Sequence, residues 1–600
     1  MEDDKKKLLK SPIKGLNKNK NFLSAKKKSN TLSKKILSDL LLQGRNQEAY
    51  NIVKQNKDIQ TQDSRLYFLL GIICKINKDY ILAEIYLKNA ITIEPDEERF
   101  FYELAGIYID CKEYDKALKL LNDNKLIDKE DAEIYNIKAL AHMGKEETSK
   151  AKEYFVKALR SRTKILNLHF NYAIFLNKIN KHRIAIKHYK KALLEDKKNL
   201  DIIFNLSVSY IAITNLDDAK EGFESILLIE PSHIGALINL GIILNRKRET
   251  DKSIESFRKV ISIDNYNHSA LTNLANIYHN LGMFKDSIKY ANKILDLNSK
   301  DIDAQNILAG SFYELNDYDK SIAFSKNTLK IDRFNIHAMM NLVNNYFVNE
   351  DYEALNKYSN NLREIDPCNP LLASLDPLIA YITNKKNTSS FIDNPIDYIQ
   401  EFNLKDYTKD SRDLISSIID ISRSITNEYN PRGKTTIGGL QTLPVIFDDK
   451  SEEITILEKI IRKCIDDYIE KYIESNLLYI KKWPKTYILQ GWTVFLEKLG
   501  MQKSHNHLSG WMSGVIYLKM PKTNISKDEG SIEFSLHGYD YPGGNLSVPK
   551  KVLQPDNGSI FLFPSSLYHK TIPFNSNEQR ISLAFDVINS FGGKRIGLGK

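Results

Sequence analysis

The chain has 600 residues, 42% hydrophobic and 27% charged, with a net charge of +10. That length exceeds one ordinary domain, and the hydrophobic share suffices for more than one core. Four cysteines, Cys74, Cys111, Cys368 and Cys464, lie far apart without CxxC spacing, which argues against a disulfide framework or a cysteine zinc site and fits a reducing compartment, the cytoplasm.

The charge is local. Residues 1–36 hold 12 lysines and three acids, which accounts for +9 of the +10. Residues 1–29 read as a basic tail, poor in apolar side chains and expected to be disordered. A solvated leader is the simpler expectation. Weak contact of this tail with an acidic surface or with nucleic acid is the alternative, and no other nucleic-acid interaction is expected. No run approaches the ~20 apolar residues of a membrane span, and the N-terminus lacks the apolar core of a secretory signal. No membrane partner is expected.

From residue 64 the sequence repeats every 34 residues. In "LLGIICKINKDYILAEIYLKNAITIEP" (69–95), Gly71 falls in a first helix, and Ala83, Leu87 and Ala90 fall in a second that ends before Pro95. Small residues return at the same phase: Ala105, Ala139, Ala173, Ser207, Gly241, Ala275 and Ala309. Small residues at fixed offsets let antiparallel helices approach closely, and bulky ones fill the space between pairs. The pattern resembles the tetratricopeptide repeat. Nine repeats start at 64 and a weaker one near 30, so residues 30–385 read as about ten repeats. The resemblance implies a superhelix with a long groove.

One column bears on function. Asn171, Asn205, Asn239 and Asn273 are 34 residues apart, and Asn341 rejoins the column after Ile307. An amide offers both a donor and an acceptor, so a ladder of amides can hold an extended peptide backbone. The arrangement is similar to the asparagine ladder in the repeats of O-linked N-acetylglucosamine transferase, which implies a protein or peptide ligand in the groove. The simpler reading is that these amides bond between neighbouring helices.

Residues 386–394 read as a linker. A helical part, 395–485, follows, with helices in "DSRDLISSIIDISRSI" and "EEITILEKIIRKCIDDYIEKYIESNLLYI" and a glycine-bearing loop, "GKTTIGGLQT", between them. Residues 486–600 turn β-rich, with strands expected at "TYILQGWTVFLEK", "SGVIYLKM", "GSIEFSL", "GSIFLFP", "KTIPF" and "RISLAFDVI". The fold class is therefore multidomain: an all-α repeat superhelix, then an α+β region ending in an antiparallel jelly roll, or double-stranded β-helix.

The chemistry concentrates on the jelly roll. His505 and His507 precede one strand, His569 follows another, and Arg580-Ile581-Ser582 opens the last. "GWTVFLEKLGMQKSHNHLSGWMSGVIYL" followed by "GSIFLFPSSLYHKTIPFNSNEQRISLAFDV" resembles the prolyl-4-hydroxylase-like 2-oxoglutarate/iron(II) oxygenase group often joined to tetratricopeptide repeats in bacteria. The resemblance spans roughly residues 395–600. It implies iron(II) at His505, His507 and His569, and 2-oxoglutarate held by Arg580 and Ser582 with Tyr517 close by. Trp492 and Trp511 are expected to pack in the barrel, and His537 to be exposed in its turn. The chain departs from the usual His-x-Asp/Glu motif, because His507 stands where the carboxylate belongs. Either imidazole replaces it, or Asp528, Glu529 or Glu533 supplies it, or the site is degenerate. Taken together, the expectation is a dioxygenase acting on a protein or peptide. The alternatives are a scaffold with a silent jelly roll, and an oxygenase acting on a small molecule or glycan.

Overall fold

The computed structural model describes residues 34–56, 59–123, 131–163, 165, 167–387, 389–431, 434–522, 528–538, 547–591 and 594–595. The basic tail lies outside the described residues. The chain divides into two compact units, residues 1–263 and 264–600.

In the first unit, helices pair into hairpins from Lys34–Leu42 with Asn46–Gln55 through to Ile234–Arg246 with Thr250–Ile263. First helices begin at Ser64, Glu98, Ala132, Leu200 and Ile234, in step with the 34-residue period. Close approach explains the small residues. A Cβ on Gly71 would meet Leu87 at 2.8 Å, and one on Gly241 would meet Phe257 at 2.8 Å. The turn inside each hairpin needs one left-handed residue, filled by Lys78, Lys112, Glu146, Asn180, Thr214 and Arg248 at φ between 57° and 62°. Only the absence of a Cβ makes that region costless, so these side chains carry strain.

The second unit opens with three more hairpins, His268–Asn280 with Phe284–Leu297, Ile302–Glu314 with Tyr318–Ile331, and Ile336–Val348 with Tyr352–Ile365. A solitary helix, Pro370–Ile382, ends the series, capped by Asn369 and opened by Pro370. Among the described residues the two units thus hold ten hairpins.

The rest of the second unit is β-rich: β1 (Gln400–Asn403), β2 (Asn427–Tyr429), β3 (Thr436–Thr442), β4 (Tyr487–Gln502), β5 (Met512–Lys519), β6 (Ile532–Ser535), β7 (Lys550–Leu553), β8 (Ser559–Pro564), β9 (Tyr568–Thr571), β10 (Arg580–Phe591) and β11 (Lys594–Arg595). All pairings are antiparallel. One sheet runs β1-β8-β5-β10-β4-β3-β2 and the other β7-β6-β9. A bridge between His505 and His569 continues the smaller sheet. From β5 onward the chain crosses between the two sheets, and the His505 turn comes to lie beside β9. The helices Ser411–Ser424 and Glu452–Lys471 bury Leu414, Ile418, Leu457, Ile461 and Ile465 in a core shared with β4, β5, β8 and β10.

Two expectations are corrected. "GGLQT" is not a loop: it belongs to β3, paired with β4 through a register shift between Ile437 and Gly439, where Gly438 has φ 66°. "KTIPF" is not a strand throughout: β9 runs from Tyr568 to Thr571 and stops before Pro573, whose nitrogen has no proton to donate. The short strands β1, β2 and β7 had no counterpart among the expected elements.

Candidate active site

His505, His507 and His569 converge. One ring nitrogen from each lies within 4.8 Å of the others, and theirs is the single such group of three or more His, Cys, Asp or Glu side chains among the described residues. The backbone sets this up: His505 N–H donates to His569 O at 3.0 Å and His569 N–H to His505 O at 2.9 Å. His507 follows on the same side of an extended chain, with its N–H on Ser565 O at 2.9 Å.

Each histidine turns its Nδ1 to an acceptor. His505 Nδ1 meets Lys503 O at 2.7 Å, His569 Nδ1 meets Leu567 O at 3.2 Å, and His507 Nδ1 meets an Asp586 carboxylate oxygen at 2.7 Å. Nδ1 therefore carries the proton, and Nε2 keeps a free lone pair. Burial, with His507 adding to it, pulls His505 down to about 3. Burial also holds His569 well below its usual value, with His505 and His507 contributing. These two imidazoles are neutral near pH 7. Three nitrogen donors, two buried and the third, on His507, partly so, with their other ring nitrogens satisfied, fit a divalent transition metal.

The missing carboxylate is Asp586, placed behind His507 rather than beside it. It is 5% exposed and also accepts from Ser513 Oγ at 2.6 Å. The expected donors lie elsewhere. Glu533 pairs with Lys550 and Lys570, and Glu529 accepts from the Asn575 N–H. The Asp528 carbonyl closes a turn on Ser531, and none of the three joins the histidine group.

A pocket beside the histidines is lined by Trp492, Tyr517, Phe563, Thr571, Arg580 and Ser582. Arg580 is 1% exposed and, among the described residues, pairs with no carboxylate. Its Nε donates to Gly530 O at 2.9 Å, one Nη donates to Ser582 Oγ at 3.4 Å, and the guanidinium lies 4.9 Å from the Tyr517 ring centre. The Tyr517 hydroxyl is buried without a partner of standard hydrogen-bond geometry; burial pushes it up to about 12, against the charge and weak hydrogen bond of the Arg580 guanidinium. An unpaired buried cation costs several kcal/mol (~3–5). A fully buried guanidinium and an orphaned hydroxyl together fit the carboxylate of a keto acid, for which an arginine fork is suited.

The remaining candidates divide. Trp492 lies 5.4 Å, ring to ring, from His507 and lines the pocket. Trp511 is structural: Nε1 donates to Tyr479 O at 3.0 Å, and the ring stacks on Tyr479. His537 is half-buried rather than exposed.

The asparagine column is partly spent on its own helices. Asn205, Asn239 and Asn273 each donate from Nδ2 to the carbonyl four residues back, Asp201, Gly235 and Ser269, at 2.8–2.9 Å. Asn171 donates to Asn136 of the preceding repeat at 3.2 Å. Asn341 is half-buried at its register position. In three of the five, the amide donor is thus used within its own helix.

Residues 490–586 match the family model described as "Putative 2OG-Fe(II) oxygenase". Residues 76–141, 132–164, 234–267 and 268–301 match tetratricopeptide-repeat models. A search of curated proteins gives no match. Solved structures similar to this chain include a tetratricopeptide-repeat protein from Parabacteroides merdae (16% identity, 39% of this chain and 93% of that one, TM-score 0.34). A second is the C-terminal part of a repeat-containing protein from Cytophaga hutchinsonii (19%, 40% and 99%, 0.35). A third is YrrB, titled "a TPR protein with an unusual peptide-binding site" (22%, 31% and 95%, 0.27).

Proposed function

We propose, for a chain that carries tetratricopeptide repeats and a C-terminal domain of the 2OG-Fe(II) oxygenase family, that it hydroxylates a protein or peptide substrate using iron(II) and 2-oxoglutarate. One observation carries the reading: the fully buried Arg580, without an acidic partner, shares a pocket with three histidines whose Nε2 atoms are free. A scaffold with a silent jelly roll has no use for either feature, and both are costly to bury.

His505, His507 and His569 would hold the metal. When bound, iron supplies oxygen activation coupled to oxidative decarboxylation of the keto acid. The chain's own residues do the rest. Arg580, with Ser582 and the Tyr517 hydroxyl, anchors the keto acid's far carboxylate and fixes its direction. Lys503 O, Leu567 O and Asp586 hold the three imidazoles in one tautomer. Phe563, Val515 and Ile532 give the pocket an apolar wall that limits water. The repeats supply the reading that the substrate is a polypeptide, with Asn205 and Asn239 of the first unit presenting oxygens to its N–H groups. We place the protein in the cytoplasm, as its four unpaired cysteines suggest.

The test is succinate production from 2-oxoglutarate by the wild type with iron(II) in air, absent in His569→Ala. Capture of partners by His569→Ala, followed by mass spectrometry, should reveal a polypeptide that gains about 16 Da, one oxygen, only when treated with the wild type. Succinate without any such polypeptide would remove the substrate class and leave the reaction.

A further inference from the structure

Asn506 stands between the two histidines of the ligand turn, and its side chain points away from them. It is 9% exposed, and its Nδ2 donates to Ser374 Oγ at 3.0 Å and to Ser566 O at 3.3 Å. Ser374, 4% exposed, belongs to the Pro370–Ile382 helix that ends the repeats. Next along the turn, Leu508 packs into the cluster of Leu371, Leu372 and Leu375 from that helix, together with Leu342 and Val343 of the last hairpin. Val548 joins the same cluster, and Tyr381 donates to Ser547 O at 2.7 Å. The ligand turn is therefore built on the terminal repeat helix.

The register sharpens this. Ser374 occupies the fifth position of its helix, as Met340, Asn306 and Thr272 do in theirs at 34-residue intervals. Asn306 Oδ1 and Thr272 Oγ1 are buried without a hydrogen-bond partner. At the last helix the corresponding oxygen has one, and the donor is the residue between two candidate metal ligands. The column thus offers a buried oxygen without a partner in two earlier repeats, none at Met340, and a partnered one only at Ser374.

We propose that the Asn506–Ser374 contact makes the terminal repeat helix a positioning element of the metal site, so that metal binding and the order of that helix are coupled in both directions. The proposal rests on the reading of the three histidines as a metal site. A metal fixes His505 and His507, the residue between them is then fixed, and so is the serine it bonds. By linkage, whatever orders the helix from the repeat side strengthens the metal site by the same factor. Asn506 and Ser374 touch neither metal nor keto acid; they act through the turn.

The experiment uses the full chain and zinc(II) as a probe, with affinity measured by competition with a chromophoric chelator and backbone amide exchange followed by mass spectrometry. In the wild type, zinc should slow exchange in both residues 503–509 and 370–382. In Ser374→Ala, zinc affinity should fall by roughly fivefold, the equivalent of one neutral hydrogen bond. Slowing should then persist in the turn and vanish in the helix. Tyr381→Phe removes a contact of the same helix that does not reach the ligand turn; it should lower zinc affinity less than Ser374→Ala does, and an equal fall would refute the Asn506–Ser374 contact as the link. If zinc does not bind the wild type, the metal-site reading fails and this proposal with it. If zinc binds but the helix exchanges at the same rate with and without it, or Ser374→Ala binds as tightly as the wild type, the coupling is refuted and the metal site stands.

Discussion

Asp586 is the carboxylate that meets the histidine group, through the His507 Nδ1, and replacing it measures what that carboxylate does. Asp586→Asn keeps the size and leaves an amide oxygen for the His507 Nδ1–H. Ser513 Oγ donates to the same oxygen, Oδ1, so the one amide oxygen can accept from both, and the serine hydroxyl also lies 2.9 Å from Ser565 Oγ. Geometry survives and the charge is lost. Asp586→Ala loses both. A carboxylate behind a ligating imidazole makes that ligand more basic and fixes its orientation, and its removal typically weakens metal binding by ~10–100-fold, or about 1.4–2.7 kcal/mol. The buried, short contacts at 2.6 and 2.7 Å place the loss inside that range. We expect zinc or cobalt affinity to fall about tenfold in Asp586→Asn and about a hundredfold in Asp586→Ala. The assay is chelator competition at fixed pH, with apo-protein melting to show that both variants fold. Variants that fold and bind metal as tightly as the wild type would refute the role given to Asp586.

Arg580→Met should abolish 2-oxoglutarate binding while leaving zinc affinity intact, since the guanidinium touches no histidine of the group; calorimetry with each ligand in turn checks this, and loss of both would mean the pocket had collapsed. Tyr517→Phe should weaken 2-oxoglutarate binding by roughly tenfold, one hydrogen bond to a charged group, yet leave apo stability unchanged or higher, because the hydroxyl is orphaned in the free protein. Thr214→Gly should stabilise the repeats by about 1 kcal/mol in chemical denaturation, since a β-branched residue at φ 62° is strained. In metal-free protein, His505 has a folded value near 3 against 6.5 for the free side chain. As pH falls below 6.5, the unfolded chain takes up a proton the folded chain refuses, so stability is lost progressively toward pH 3 and is unaffected above 6.5. Melting temperatures of apo wild type and His505→Gln between pH 7 and 5 test this: the slope should be shallower in the variant.

The repeats were legible because their packing writes itself into the sequence. Where a Cβ would strike Leu87 or Phe257 the column holds glycine, elsewhere alanine or serine, and these small residues return every 34 residues. The hairpin turns left no such trace, since lysine, glutamate, threonine and arginine share the left-handed position. Strands with a continuous apolar or alternating run, such as β5 and β8, could be read directly. β3 was hidden by two glycines and a register shift, and β1, β2 and β7 are too short to show a period. The three histidines and Arg580 were found from type and order along the chain. Asp586 is not legible from the His505 turn, because it sits 79 positions past His507 and meets it only through the fold. Its signal was present: Arg580, Ser582 and Ala584 line the pocket, and alternation puts Asp586 next on that face. The spent amides of Asn205, Asn239 and Asn273 bond within one turn of helix, which no spacing between repeats reveals.

The central claim is that three imidazoles and one buried arginine hold iron(II) and 2-oxoglutarate together. It is tested most directly by adding both, without oxygen, to the purified full-length protein and recording the visible spectrum. The account predicts a weak charge-transfer band that needs both additions, disappears in His569→Ala and in Arg580→Met, and bleaches on admission of oxygen as succinate forms. A wild-type spectrum unchanged by iron and keto acid together, with no succinate on aeration, would contradict it.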